Sequence, residues 1–268
     1  MIKKPALIGL VAGILSAGWI FSLSSAAFAL DKKPHALPSS FYAVENLGSI
    51  AHELKITLTP KAGFPAEYVK KWASAVDAAF APDLIKADFD SALNARLTED
   101  ARSAALAFDA SPLGQETLKI VMNFQPLGNQ PDAFAKVRQR VASASVEENA
   151  LFVDLFEAQF GAKRANEVLD VYLQAMETAA EPVIGADAAK RWTSSVKHLR
   201  ESYVEEYFLT STMIYDQLPL EKRKKLAAAL SSPPMLAYAE QSTAAFSETL
   251  KAAAKRLESA YAKELKGQ

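Results

Sequence analysis

The chain has 268 residues, half of them hydrophobic, with 30 basic and 31 acidic side chains and no cysteine. The near-neutral charge argues against a general nucleic-acid-binding protein, which would carry a basic surplus. The lack of cysteine excludes disulfides, zinc–thiolate sites and thiol catalysis, and it suits an oxidising compartment.

Residues 1–29 predict a signal peptide. Lys3 and Lys4 precede an apolar stretch, and Ala27-Phe28-Ala29 is a small-x-small cleavage site. A signal peptide of this kind directs the chain to the periplasm, and cleavage after Ala29 would begin the mature chain at Leu30. The apolar stretch is also long enough to cross a bilayer. A retained leader would therefore make the protein a membrane-tethered helical spacer, the only case in which membrane contact is expected.

Residues 30–40 predict a loose lead-in, and 41–130 a first helical unit. Apolar residues recur there at steps of three and four, which is the period of a helix face, and prolines separate one helix from the next. Trp72 lies on one such face and is predicted to be a core residue. A turn rich in Pro, Gly and Asn at 125–131 predicts the boundary to a second helical unit over 131–268.

The stretch Leu97–Ile120 predicts two short helices that meet at a sharp corner. Proline disfavours helical geometry in the residue before it. Ser111 is therefore predicted to be an N-cap, and Pro112 the first residue of the next helix. The N–H groups behind Ser111 would suit an anion, but the same groups are used by the cap.

A degraded copy of this stretch begins at Leu218, 121 positions after Leu97, and carries its own corner at Ser232-Pro233. Trp72 and Trp192 occur in similar short segments of sequence, 120 positions apart. Similarity over this span predicts duplication of a whole helical unit. It also predicts that both tryptophans are core residues at equivalent places, although a groove between the halves that holds an apolar ligand is an alternative.

The first corner carries a short motif after an acidic helix start. Its members are Ala107, Phe108, Ser111, Pro112, Gly114 and Gln115. This pattern resembles a bacterial exported family known as domain of unknown function 2059, in which a tyrosine usually follows the phenylalanine; here Asp109 stands there. The resemblance covers about twenty residues. It implies a helical fold and an exported location, and it implies no activity.

Several signals describe the second unit. Ser145 and Glu148 have the spacing of a capping box. Gly161 is predicted to end the helix that follows, and Pro182 with Gly185 to break the next. The charged run 221–225 is interpreted as a solvated face, with contact to an anionic lipid or polymer surface as the alternative.

The fold class predicted from these patterns is all-α: an antiparallel helical bundle of two related halves, with proline-marked turns and a long C-terminal helix. That last helix shows an apolar seam at alternating steps of three and four from Leu236 to Ala260. We expect the seam to lie along the bundle, with a dimer seam as the alternative.

No catalytic, cofactor or metal residue is predicted. The sequence has no nucleophile elbow, phosphate-binding loop or H-E-x-x-H motif, and its one His–Glu pair at helical spacing, His198 and Glu201, is typical of surface neighbours. The favoured hypothesis is an exported, non-catalytic module that binds a partner protein or an apolar ligand. The alternative is an envelope hydrolase of unfamiliar design.

Overall fold

A computed structural model describes residues 38–60, 63–123, 132–195 and 200–267. The predicted signal peptide, the boundary turn and His198 lie outside these ranges. Within them the chain forms helices and no strand, so the prediction of an all-α fold is confirmed. The helices are α1 Pro38–Thr57, α2 Ala66–Ala79, α3 Pro82–Asn94, α4 Glu99–Ala110, α5 Pro112–Asn123, α6 Ala133–Ser143, α7 Val146–Glu157, α8 Gly161–Ile184, α9 Ala186–Ser195, α10 Arg200–Tyr215, α11 Leu220–Leu230 and α12 Pro233–Lys266.

Local capping signals place several helix starts. Thr98 precedes α4, and its side chain accepts a hydrogen bond from the Ala101 N–H. The predicted capping box at the start of α7 is present: Ser145 Oγ accepts from the Glu148 N–H, and the Glu148 carboxylate accepts from the Ser145 N–H, each at 3.2 Å. These groups satisfy N–H donors that the first turn of a helix leaves unpaired.

Two predicted breaks in the second unit were wrong. Gly161 begins α8 and does not end α7, whose last residue is Glu157. A glycine is required there because a Cβ would lie 2.3 Å from the Phe156 ring. Pro182 lies inside the last turn of α8 and does not end the helix, although proline has no N–H to donate to the preceding turn. The helix ends at Gly185 alone, whose φ of +83° is the positive value that glycine adopts without strain.

The long C-terminal helix α12 packs against α2, α3, α4 and α8. Its apolar seam is buried in that contact from Thr243 to Leu257, so this face lies inside the chain. The main core therefore includes side chains from early and late helices together, such as Trp72 on α2, Tyr172 on α8 and Tyr261 on α12.

A smaller core lies where α7, α10 and α11 meet, around Leu155, Ile214 and Leu226. Beside it the guanidinium of Arg223 is 3.2 Å from the Glu148 carboxylate and stacks over Phe152. The interpretation of residues 221–225 as a solvated face was therefore wrong for Arg223, which is only 4% exposed. A buried guanidinium needs a carboxylate partner, and the tertiary structure supplies one from α7.

Candidate functional site

The serine–proline corner between α4 and α5 is built from hydrogen bonds among the motif residues. The Phe108 carbonyl accepts from the Ser111 N–H at 2.9 Å and from Ser111 Oγ at 2.6 Å. Ser111 Oγ in turn accepts from the Gly114 N–H at 3.0 Å. Ser111 thus ends one helix and caps the next, and Pro112 is the first residue of α5.

Gly114 and Gln115 complete the corner. A Cβ at Gly114 would lie 2.0 Å from the Phe108 carbonyl oxygen, so no larger residue fits unless the two helices separate. The Gln115 side-chain amide donates to the Asp109 carbonyl. Every motif residue except Ala107 therefore has a role in the fold of this hairpin.

The second corner repeats only part of this arrangement. Ser232 has the same extended backbone, and its N–H and Oγ both donate to the Ala229 carbonyl, at 3.2 and 2.8 Å. Its side chain accepts no capping hydrogen bond, and Met235 stands where the first corner has glycine. Pro233 begins α12, as Pro112 begins α5.

Both tryptophans singled out from the sequence are buried, but their polar contacts differ. Trp72 is 0% exposed; its Nε1 donates to the Leu54 carbonyl at 2.8 Å, and its ring meets the Tyr261 ring edge-on at 5.1 Å. Trp192 is 8% exposed, and its Nε1 has no hydrogen-bond partner among the described residues. Neither tryptophan lines the cavity described next.

A cavity of about 230 Å³ lies between the α4–α5 corner, the start of α8, and helices α10, α11 and α12. Two motif residues, Phe108 and Gly114, form part of its wall, together with Asp109. The rest of the wall is mainly apolar. Its apolar members include Phe89, Ala105, Leu118, Val121, Phe156, Ile214, Leu226, Leu230, Met235 and Phe246.

Arg164, in the first turn of α8, brings a positive charge to this wall. Its Nε donates to Thr243 Oγ1 at 2.9 Å and its Nη2 to Ser242 Oγ at 3.2 Å, while the guanidinium lies 5.9 Å from the centre of the Phe246 ring. Ser242 and Phe246 also line the cavity, so the guanidinium is at its surface. Both hydrogen-bond partners are neutral hydroxyls.

Asp109 brings a carboxyl group to the same wall. Burial raises the pKa of Asp109 to about 6. Burial also raises the pKa of Glu53 and of Glu206 to about 7. Neither of these two carboxyls lines the cavity.

The sequence did not identify Arg164 as a site residue. A cation in the first turn of a helix opposes the helix dipole, and this is the signal that would have singled it out. In the described ranges, no three His, Asp or Glu side chains gather closely enough to hold a metal ion. No helix in those ranges combines the length and apolar character needed to cross a bilayer.

Comparison with models of known protein families, with curated proteins and with solved structures finds no match to this chain.

Proposed function

We propose that this chain is an exported, non-catalytic helical protein that binds an apolar ligand in the cavity behind the α4–α5 corner. The observation that carries this proposal is the cavity itself, about 230 Å³ and mainly apolar. A cavity of ~150 Å³ lined by apolar side chains already takes up benzene. This cavity has about half as much volume again.

The exported location is supported by the leader sequence and by the resemblance to domain of unknown function 2059. N-terminal sequencing of the protein purified from a Gram-negative host tests it. A chain that begins at Leu30 supports export with cleavage after Ala29. A chain that keeps the leader would favour the membrane-tethered spacer.

We further propose that the chain consists of two related halves arranged as a helical bundle. Three pairs of helices support the duplication by their starting positions. They are α2 and α9 at Ala66 and Ala186, α4 and α11 at Glu99 and Leu220, and α5 and α12 at Pro112 and Pro233. The spacings are 120, 121 and 121 positions, as the sequence similarity predicts.

Fluorescence of the uncharged probe N-phenyl-1-naphthylamine tests the binding proposal. We expect emission to rise on addition of the protein. The increase should be lost in Leu118→Trp and Ala239→Phe, which add bulk to two parts of the cavity wall. Leu84→Trp is the matched control, because Leu84 is 44% exposed and lies outside the cavity. Binding that survives both filling variants would contradict the proposal.

An enzyme is the second candidate, and Asp109 is the observation that favours it. A carboxyl whose pKa is raised by burial to about 6, in the wall of a cavity, suits a general acid. Screening of the purified protein against ester, amide and glycoside substrates tests this. Turnover that is lost in Asp109→Asn would favour the enzyme, whereas turnover unchanged in that variant would contradict the assignment.

A further inference from the structure

Arg164 carries a charge that the described part of the chain does not neutralise. No carboxylate in those ranges lies within 4.0 Å of its guanidinium, although most of the other arginines there have such a partner. A guanidinium has five N–H donors. Those of Arg164 make two hydrogen bonds, both to neutral hydroxyls, and so several donors remain for another group.

Two further groups in the cavity wall can donate hydrogen bonds to an anion. The Tyr207 side chain lines the cavity and carries a hydroxyl group that can donate. Helix α8 begins beside Arg164, at Gly161 in the cavity wall, and its first turn has no side-chain cap there. Unpaired N–H groups at a helix start favour negative charge.

The part of the wall that α5 and α11 form suits a hydrocarbon chain. Leu118 and Val121 on α5, with Leu226 and Leu230 on α11, present aliphatic side chains to the cavity. An unpaired charge beside an apolar surface is costly unless a counter-charge reaches it. A ligand that combines a chain with an anionic head satisfies both parts of the wall.

We propose that the cavity binds a single-chain anionic amphiphile, with its anionic head on Arg164 and Tyr207 and its apolar chain against α5 and α11. This inference rests on the proposed apolar-ligand function and adds the chemical class of the ligand. A fatty-acid-like carboxylate is the simplest member of that class, because a guanidinium can bind a carboxylate through two parallel hydrogen bonds.

Displacement of N-phenyl-1-naphthylamine by octanoate and by octanol, which share a chain length, tests the inference. In the wild-type protein at pH 7.5 we expect octanoate to compete at about tenfold lower concentration, the gain typical of a hydrogen bond to a charged group. Equal competition by the two would overturn the inference and leave the apolar site standing. Failure of both to compete while the probe still binds would also overturn the inference and leave the apolar site standing, whereas a protein that does not bind the probe would contradict the proposed function as well.

Variants at Arg164 separate binding from a structural role. Arg164→Gln should weaken octanoate by about tenfold and leave octanol unchanged, and Arg164→Lys should retain part of the octanoate preference. Arg102→Gln is the matched control, because Arg102 also lacks a carboxylate partner among the described residues but lies outside the cavity. Equal loss of both ligands in Arg164→Gln would show that this arginine only supports the fold. If Arg164→Gln fails to fold, the test relies on the preference for octanoate over octanol in the wild-type protein and in Arg164→Lys. Loss of that preference in a folded Arg164→Lys variant, or its absence from the wild-type protein, would contradict the inference.

Discussion

At the scale of single residues, the two tryptophans show how similar sequence can acquire different contacts. Leu54 is one of the last four residues of α1, where helix carbonyls lack a partner of their own. The Trp72 indole N–H supplies that partner. Trp192 donates to no acceptor in the described ranges, so its contribution to stability comes from packing alone.

This difference predicts unequal effects of the same substitution. Trp72→Phe should destabilise the protein by about 1–3 kcal/mol more than Trp192→Phe, because only the first leaves a buried carbonyl without its donor. Urea unfolding followed by far-UV circular dichroism measures both. Equal losses would show that the hydrogen bond to Leu54 contributes nothing net.

Glu148 links the capping box of α7 to two arginines from other helices. Its carboxylate is 2.5 Å from the Arg140 guanidinium and 3.2 Å from that of Arg223, and it also accepts the Ser145 N–H. The hydrogen bond from Arg140, followed by that from Ser145, lowers the pKa of Glu148 from 4.5 to about 2. The charged form is therefore the one that the fold stabilises.

The lowered pKa predicts a defined pH dependence. Because the folded pKa lies below the unfolded value of 4.5, the contribution of Glu148 is complete above pH 4.5 and is lost as the pH falls towards 2. Glu148→Gln should lower the urea midpoint at pH 7 and flatten its pH dependence between 4.5 and 2. Parallel wild-type and variant profiles over that interval would contradict the assignment.

At the scale of elements, the α4–α5 hairpin depends on one close approach. Ser111 and Pro112 set the backbone of the turn, but the distance between the helices depends on Gly114, which faces the Phe108 carbonyl. Phe108 and Gly114 also line the cavity, so the geometry of the corner determines the shape of the candidate site.

Gly114→Ala should therefore destabilise the protein by about 1–3 kcal/mol, the usual cost of overpacking, and should change probe binding in the cavity. Gly48→Ala is the control: Gly48 is an exposed position of α1 with no atom within 4 Å of an added Cβ. The Gly48→Ala variant should be more stable than the wild-type protein by about 0.4–1 kcal/mol, because alanine reduces the entropy of the unfolded chain. A Gly114→Ala variant as stable as the wild-type protein would contradict the close approach of position 114 to the Phe108 carbonyl.

At the scale of the whole molecule, α12 joins helices from both ends of the chain. It contacts α2, α3 and α4, and also α8, and its Tyr261 packs on Trp72. Arg256 adds a hydrogen bond to the Ala79 carbonyl at 3.1 Å. The main core is therefore incomplete until the last helix of the chain is in place.

Truncation tests this dependence. Removal of 250–268 deletes Leu250, Leu257 and Tyr261 from the core, and we expect hydrogen exchange in α2 and α3 to accelerate markedly although neither helix is cut. Removal of 266–268, which follows the last core contacts, is the control and should leave exchange unchanged. Continued protection of α2 and α3 in the longer truncation would show that they fold without α12.

The sequence alone determined the features that arise within a few residues. Helix periodicity, the caps at Ser111 and Ser145, and the proline-marked starts of α5 and α12 all follow from neighbouring side chains and backbone N–H groups. Gly161 and Pro182 were misinterpreted because their roles depend on more than the neighbouring sequence. A glycine or proline can be required by close packing or by a turn, and the local pattern does not distinguish the two. At position 161 the requirement is packing, because a larger side chain would clash with the Phe156 ring.

Only the tertiary structure decided which distant residues meet. Arg164 reaches Ser242 and Thr243, Trp72 reaches Tyr261, and Glu148 reaches Arg223, each pair more than seventy positions apart. A local pattern has no information about such pairs, because they depend on how helix faces pack once the chain folds. The cavity is lined by helices that lie far apart in the sequence, from α1 to α12. For this reason neither its volume nor the presence of Arg164 in its wall could be predicted from periodicity.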